Sequence, residues 1–264
     1  MKAIIKRLLN NLGYDLTKVS PAGGSGADRE LYAPLYSPWL GSGPFEKLFD
    51  RVKPHTLVSV DRCYVLYTLA RQAVSLEGDF WECGVYQGGT AVLLAEVVAT
   101  TQPARTRLHL FDTFQGMPGT DPKKDLHKRG DFADTSLRAV RERVGREDVV
   151  SFHEGLVPDS FAGFEESHIA FAHIDVDIWQ SVTDCCEFIV PRLVHGGFMV
   201  FDDYGFPTCP GAREAVDGFF RERLEKPLAL PTGQAIVFNS FKPAGMKSHS
   251  AQPDAAADAD KLRR

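Results

Sequence analysis

HIAFAHIDVDIWQS (168–181) and HGGFMVFDDYG (195–205) flank a short amphipathic run, and together they decide how this chain folds. Two apolar runs, Ile169–Ile174 and Phe198–Phe201, end in carboxylates: Asp175 and Asp177 after the first, Asp202 and Asp203 after the second. A short continuous apolar run bounded by turn residues reads as a buried parallel strand. Between them, Trp179–Leu193 spaces Val182, Cys185, Cys186, Ile189 and Leu193 as one helical face. Strand, helix and strand make a βαβ unit, whose right-handed crossover puts both strand C-termini on one sheet edge. Open α/β sheets bind ligands at that edge. Four like charges gathered there repel unless something positive sits among them. A hard divalent cation with oxygen ligands, Mg²⁺ or a relative, is the economical partner. The structural alternative is that Asp177 caps the next helix and one member of the Asp202–Asp203 pair starts a turn.

Upstream, DFWECGVYQGGTAVLLAEVVA (79–99) predicts a strand over Phe80–Cys83, a turn from Gly84 through Gly88 and Gly89, and a helix from about Thr90. Glycines there let backbone amides approach a ligand, and the helix N-terminus adds partial positive charge. The pattern is not G-x-G-x-x-G, so the dinucleotide fingerprint fails. Glu82, just before Gly84, suits a ligand with hydroxyl or ammonium groups better than a pyrophosphate. A plain strand–helix turn is the structural alternative. In RLHLFDTFQG (107–116), a strand over Leu108–Phe111 ends in Asp112. In doubly wound folds an acid at that place takes the ribose hydroxyls of a nucleoside.

The rest fits an alternating α/β, doubly wound fold. Arg62–Leu76 reads as a helix, Leu137–Val144 as another, and Val149–Phe152 as a strand leading to His153. Phe198–Phe201 completes five parallel strands. Pro210 opens a helix over Ala212–Leu224, and Leu228–Leu230 and Ala235–Asn239 read as an antiparallel edge. Residues 115–135 form a long polar loop, read as a lid over the site or else a mobile insertion. Residues 31–60 show no clear periodicity. Residues 1–18 set Ile4, Ile5, Leu8, Leu9 and Leu12 on one helical face beside Lys2, Lys6 and Arg7, fit for packing, partner docking or peripheral membrane contact. PAGGSGAD (21–28) reads as a linker, and the chain from Lys242 as a disordered tail. The expected organisation is an N-terminal extension over 1–53, the catalytic domain over 54–241 and a tail over 242–264.

The 264 residues carry a net charge of −5, which argues against a nucleic-acid-binding surface dominating the fold. No apolar run approaches the roughly 20 residues of a membrane span, and Lys6 and Arg7 interrupt any signal-peptide core. The five cysteines form no C-x-x-C and read as buried free thiols in a reducing cytosol. A cytoplasmic homo-oligomer is expected.

ECGVYQGGT (82–90), FDTFQGMP (111–118), HIDVDIWQS (173–181) and GGFMVFDDYG (196–205), followed by CPGAREAVDGFF (209–220), resemble the macrocin O-methyltransferase family. These are class I methyltransferases that act on sugar hydroxyls of macrolides and aminocoumarins. The resemblance covers about residues 54–240 and keeps the motif order. It implies a Rossmann-like, mostly parallel seven-stranded sheet, S-adenosylmethionine as cofactor and Mg²⁺. By the same resemblance Glu82, Gly84, Val85, Tyr86, Gly88 and Gly89 would surround the methionine part of the cofactor. Asp112 would hold the ribose, and Thr113, Phe114, Gln115 and Gly116 would run along the adenosine. Thr56 and Leu57 would close over it by a looser match. Asp175, Asp202 and Asp203 would be metal ligands. Val176 and Gln180 stand where the family often has a small and an acidic residue, a departure that bears on acceptor contacts.

A sugar hydroxyl is a poor nucleophile at neutral pH. Vicinal hydroxyls chelated to Mg²⁺ would be acidified, and a carboxylate, Asp175 or Asp177, would take the proton. His173 reads as a supporting or core histidine, and His153 as a weaker base candidate. Trp179 and Tyr204 are candidate walls of the acceptor pocket, with core packing as the alternative. Two other readings stand beside the sugar O-methyltransferase: a metal-dependent methyltransferase of a catechol-like acceptor, and a non-catalytic cofactor-binding protein.

Overall fold

The structure, a computed structural model, describes residues 37–101 and 106–240. The expected helix at 1–18, the linker at 21–28 and the tail from 242 lie outside them. The elements named below belong to one compact unit that begins at Trp39. In chain order they are α1 (Pro44–Val52), α2 (Val60–Ala73), β1 (Asp79–Cys83), α3 (Gly89–Thr101), β2 (Leu108–Asp112), α4 (Leu137–Val144) and β3 (Val150–Glu154). Then follow β4 (Ile169–Ile174), α5 (Trp179–Ile189), β5 (Leu193–Phe201), α6 (Pro210–Phe219), β6 (Leu228–Ala229) and β7 (Ala235–Phe238).

The sheet has seven strands in the order β3-β2-β1-β4-β5-β7-β6. β1 to β5 pair in parallel, while β7 runs antiparallel to β5 and β6 antiparallel to β7. The order reverses between β1 and β4, which leaves a crevice at the strand C-termini. Strand residues alternate between two faces. Phe80, Leu108, Leu110, Phe171 and Val200 pack with α1 to α4, while Trp81, Phe111, Ala172, Ile174, Met199 and Phe201 pack with α5 and α6. Every residue of β4 is buried, as its unbroken apolar run requires.

Three local readings are corrected. The segment expected to be irregular holds α1, opened by Pro44 at a first-turn position and burying Phe45, Leu48 and Val52 on one face. The helix expected to reach Leu193 ends at Ile189, because Val190–Arg192 tightens into a 3₁₀ turn around Pro191. β5 accordingly starts at Leu193, with Gly196 and Gly197 inside the strand. Its register against β4 is irregular there, pairing Leu193 with Ile169 and Phe198 with Phe171. Among the described residues no helix is long and apolar enough to cross a membrane.

Candidate active site

Four strand ends build the site. β1 runs into Gly84 and β2 into the end at Asp112, while β4 delivers Asp175 and β5 delivers Asp202 and Asp203. Gly84 has φ +87°, and a Cβ there would overlap the carbonyl oxygen of Asp175. Only glycine lets the β1 turn pass this close to the end of β4. The Asp112 carboxylate closes the same turn from the other side. Its Oδ2 accepts from the amides of Val85 (2.6 Å) and Tyr86 (3.0 Å), and its Oδ1 accepts from the amide of Phe114 (2.6 Å).

One cleft joins these groups. Its walls include Thr56, Leu57, Gly84, Val85, Tyr86, Asp112, Thr113 and Gly116 on one side. Asp175, Asp177, Asp203, Phe206 and Cys209 stand on the other. Leu57 is 66% exposed although it borders the cleft, so it is free to cover a ligand. The remaining sequence candidates stand behind the wall. Glu82 and Asp202 are fully buried, Phe114 packs into the core, and Gly88 and Gly89 lead into α3. Gln115 reaches outward, its Nε2 donating to Glu154 Oε1 at 3.2 Å.

Beneath the cleft lies a charge network. His173 is fully buried, with Nδ1 3.0 Å from Glu82 Oε1 and Nε2 3.6 Å from Asp202 Oδ1. Arg62 Nη1 donates to Asp202 Oδ2, and Gln234 Nε2 donates to Asp202 Oδ1 at 2.7 Å. Burial opposes the His173 charge, yet the neighbouring carboxylates of Asp202 and Glu82 prevail and raise its pKa to about 10. Burial likewise opposes the Asp202 charge, and His173 with Arg62 nevertheless holds that carboxyl below its ordinary range. Asp175, near His173 and Arg62, and Asp203, near Arg62, get too little relief to prevail. Burial and then the neighbouring carboxylates push both well above the usual range. Asp203 Oδ2 is buried without a partner. A cluster of this kind fits a divalent cation, which would neutralise the repulsion and occupy the orphaned oxygen. Ligand atoms of His173, Asp175 and Asp202 already lie within 4.8 Å of one another. Asp202 keeps capacity for a cation, since a carboxylate offers about four lone-pair sites.

Asp177 differs from its neighbours. It adopts the left-handed region at φ +61° and does not cap α5. The cap comes from the long loop, where Asp125 Oδ1 accepts from the amide of Trp179 at 2.9 Å. Burial pushes Asp177 upward, while His127 opposes that shift.

The profile of the macrocin-O-methyltransferase (TylF) family matches residues 48–238. The chain belongs to the macrocin-O-methyltransferase family. It is an enzyme of methyl transfer with the class I methyltransferase fold. A Streptomyces olivaceus protein, 8-demethyl-8-(2,3-dimethoxy-alpha-L-rhamnosyl)-tetracenomycin-C 4'-O-methyltransferase, is 31% identical over 180 residues, or 62% of this chain and 67% of that protein. The O-methyltransferase NovP superposes with a TM-score of 0.64 at 22% identity, covering 71% of this chain and 83% of its own. An O-methyltransferase from Bacillus cereus, solved in complex with SAH, gives 0.50 at 18% identity over 74% of this chain and 90% of its own.

Around this cleft, several residues answer differently from their sequence readings. His153 does not line the cleft. It lies 3.0 Å from His109 and stacks on Phe111, and burial lowers its pKa to about 4. Trp179 carries Lys124 over its ring, and the Tyr204 hydroxyl donates to Asp217 at 2.8 Å, so neither walls the cleft. Tyr86, Phe132 and Phe206 supply its aromatic surface. Arg62, Gln234 and His127 carried no sequence signal as site residues, and Cys209 only the start of the CPGAREAVDGFF match, because their roles depend on partners far away in the chain.

Proposed function

We propose that this chain transfers a methyl group from S-adenosylmethionine to a sugar hydroxyl, with Mg²⁺ held by Asp175, Asp202 and Asp203. The observation that carries the reading is the single cleft, with the glycine turn and Asp112 on one side and Asp175, Asp177 and Asp203 on the other. Family membership supports methyl transfer, and the rhamnosyl acceptor in the name of the Streptomyces relative supports a sugar.

The cofactor would supply an electrophilic methyl group. Gly84, Val85 and Tyr86 would hold its methionine part along the turn, with Glu82 and the Gly88–Gly89 pair behind it. Asp112, Thr113 and Gly116 would border the nucleoside, with Phe114 and Gln115 shaping the turn from behind, and Thr56 and Leu57 would cover it. When bound, the metal ion would supply Lewis acidity that makes a hydroxyl easier to deprotonate. Asp177 then takes the proton, because its carboxylate lines the cleft, and its raised pKa makes it a stronger acceptor than an exposed aspartate. Arg62 and His173 fix Asp202 from behind, and the two sides of the cleft align methyl donor and acceptor oxygen.

The test is transfer of a labelled methyl group from S-adenosylmethionine to a panel of sugars and glycosides, with and without EDTA. Labelled glycoside formed only without EDTA is expected. Labelling of catechols alone would move the acceptor to that class, and tight NADH binding with no affinity for sulfur nucleosides would overturn the reading.

A further inference from the structure

Next to the carboxylate cluster lies a second set of donors with a different chemistry. His127 from the long loop, Asp177 after β4 and Cys209 before α6 all line the cleft. Cys209 Sγ lies 3.4 Å from Asp177 Oδ1 and 3.6 Å from His127 Nε2, and His127 Nε2 lies 3.8 Å from Asp177 Oδ1. A tetrahedral zinc ion with Zn–S of about 2.3 Å and Zn–N or Zn–O of about 2.0 Å requires ligand separations of about 3.3–3.6 Å. The three atoms therefore nearly span one face of a zinc tetrahedron before any ion is bound. His127 is also oriented from behind, with Nδ1 3.2 Å from Asp131 Oδ2. That is the carboxylate–histidine pairing that fixes a metal-binding tautomer and leaves Nε2 with its lone pair.

We propose that His127, Asp177 and Cys209 form a zinc site, with Asp131 supporting His127 and the fourth coordination position open to the cleft. A nitrogen, an oxygen and a sulfur donor suit Zn²⁺ or Co²⁺ and not Mg²⁺, whose preference is for oxygen. The site is therefore chemically distinct from the all-carboxylate set. On binding, Zn–S forms as the Cys209 thiol loses its proton to solvent. The ion also engages Asp177 and ties the long loop to the sheet edge. Its consequence for catalysis rests on the proposed methyl transfer: zinc takes the proton-accepting carboxylate out of use and inhibits the enzyme.

Cobalt is the probe, added to the full chain free of any metal-binding tag and in the presence of excess Mg²⁺. The wild type is expected to show thiolate-to-cobalt charge transfer and the intense visible bands of a tetrahedral ion, both displaced by Zn²⁺. Cys209→Ser should remove the charge-transfer band. Asp131→Asn should weaken binding about 10–100-fold, the usual loss when a supporting partner is removed. Asp203→Asn should keep the spectrum. Circular dichroism confirms folding of each variant, and His127→Gln on the loop repeats the test if Cys209→Ser does not fold. Absence of the band in wild type, or its survival in a folded Cys209→Ser or His127→Gln protein, would overturn the site. Zinc should inhibit methyl transfer in wild type and not in Cys209→Ser; equal inhibition of both would overturn the inhibitory role. A wild type with the cobalt spectrum but no methyl transfer would refute the proposed reaction and leave the zinc site standing.

Discussion

His173 shows how a residue's role comes from its partners. Its position two residues before Asp175 on one strand face marks it as supporting the site, and that much is legible in the sequence. Its partners are not legible. Glu82 faces it because β1 and β4 are neighbours with Glu82 paired to His173, although the two lie 91 residues apart. Sequence reading gives Glu82 to the cofactor because it precedes the glycine turn. The network makes a pH prediction. His173 is raised from 6.5 to about 10, so its contribution to stability is full below about pH 6.5 and is lost as pH rises toward 10. Denaturant titrations should show wild-type stability falling across that window and a His173→Asn variant nearly flat; parallel curves would remove His173 from the balance. Asp177 carries the second prediction at this scale. Asp177→Asn should lower turnover roughly 10²–10⁴-fold, the usual range for a proton-transfer group, and leave affinity for S-adenosylhomocysteine within a factor of two or so. An equal loss of both would mean that Asp177 holds the site's shape instead.

At the scale of elements, the long loop is a strap and not a free flap. Met117 and Asp131 pair through their backbone, Asp134 accepts from the Tyr86 hydroxyl at 2.8 Å, and Asp125 caps α5. A Cβ at Gly211 would overlap Asp125 Oδ1, so the start of α6 is shaped to admit this carboxylate. The strap thus touches both the glycine turn and the helix that follows Asp177. Its length and polarity were visible in sequence, but no local rule pairs an aspartate with a helix N-terminus 54 residues later. α1 escaped notice for another reason: Phe45, Leu48, Phe49 and Val52 do recur at helical spacing, but the run is short and set among prolines, glycines and aromatics that hide it. Asp125→Ala should lower stability by about 1 kcal/mol, the typical cost of a lost N-cap, and raise protease cleavage between residues 117 and 135. Unchanged stability and cleavage would show that the strap is held by other contacts.

The whole molecule was the most legible level. Apolar runs ending in acids at regular intervals specify parallel strands, and the right-handed crossover rule then places Gly84, Asp112, Asp175 and Asp203 along one edge. Electrostatics at that edge was legible only as excess negative charge. How the charges divide needs coordinates: Arg62 and His173 neutralise Asp202, while Asp175 and Asp203 stay repelled in the cleft. The central claim is that this poorly relieved pair, together with Asp202, holds a hard cation which enables methyl transfer to a sugar hydroxyl. Its most direct test is turnover of a glycoside acceptor against Mg²⁺ concentration, for wild type and Asp203→Asn, with S-adenosylhomocysteine affinity measured in parallel. Wild type should be inactive in excess EDTA and recover with Mg²⁺. Asp203→Asn should need at least about tenfold more Mg²⁺, by analogy with other weakened metal sites, and bind S-adenosylhomocysteine normally. Full wild-type turnover in excess EDTA would contradict the account.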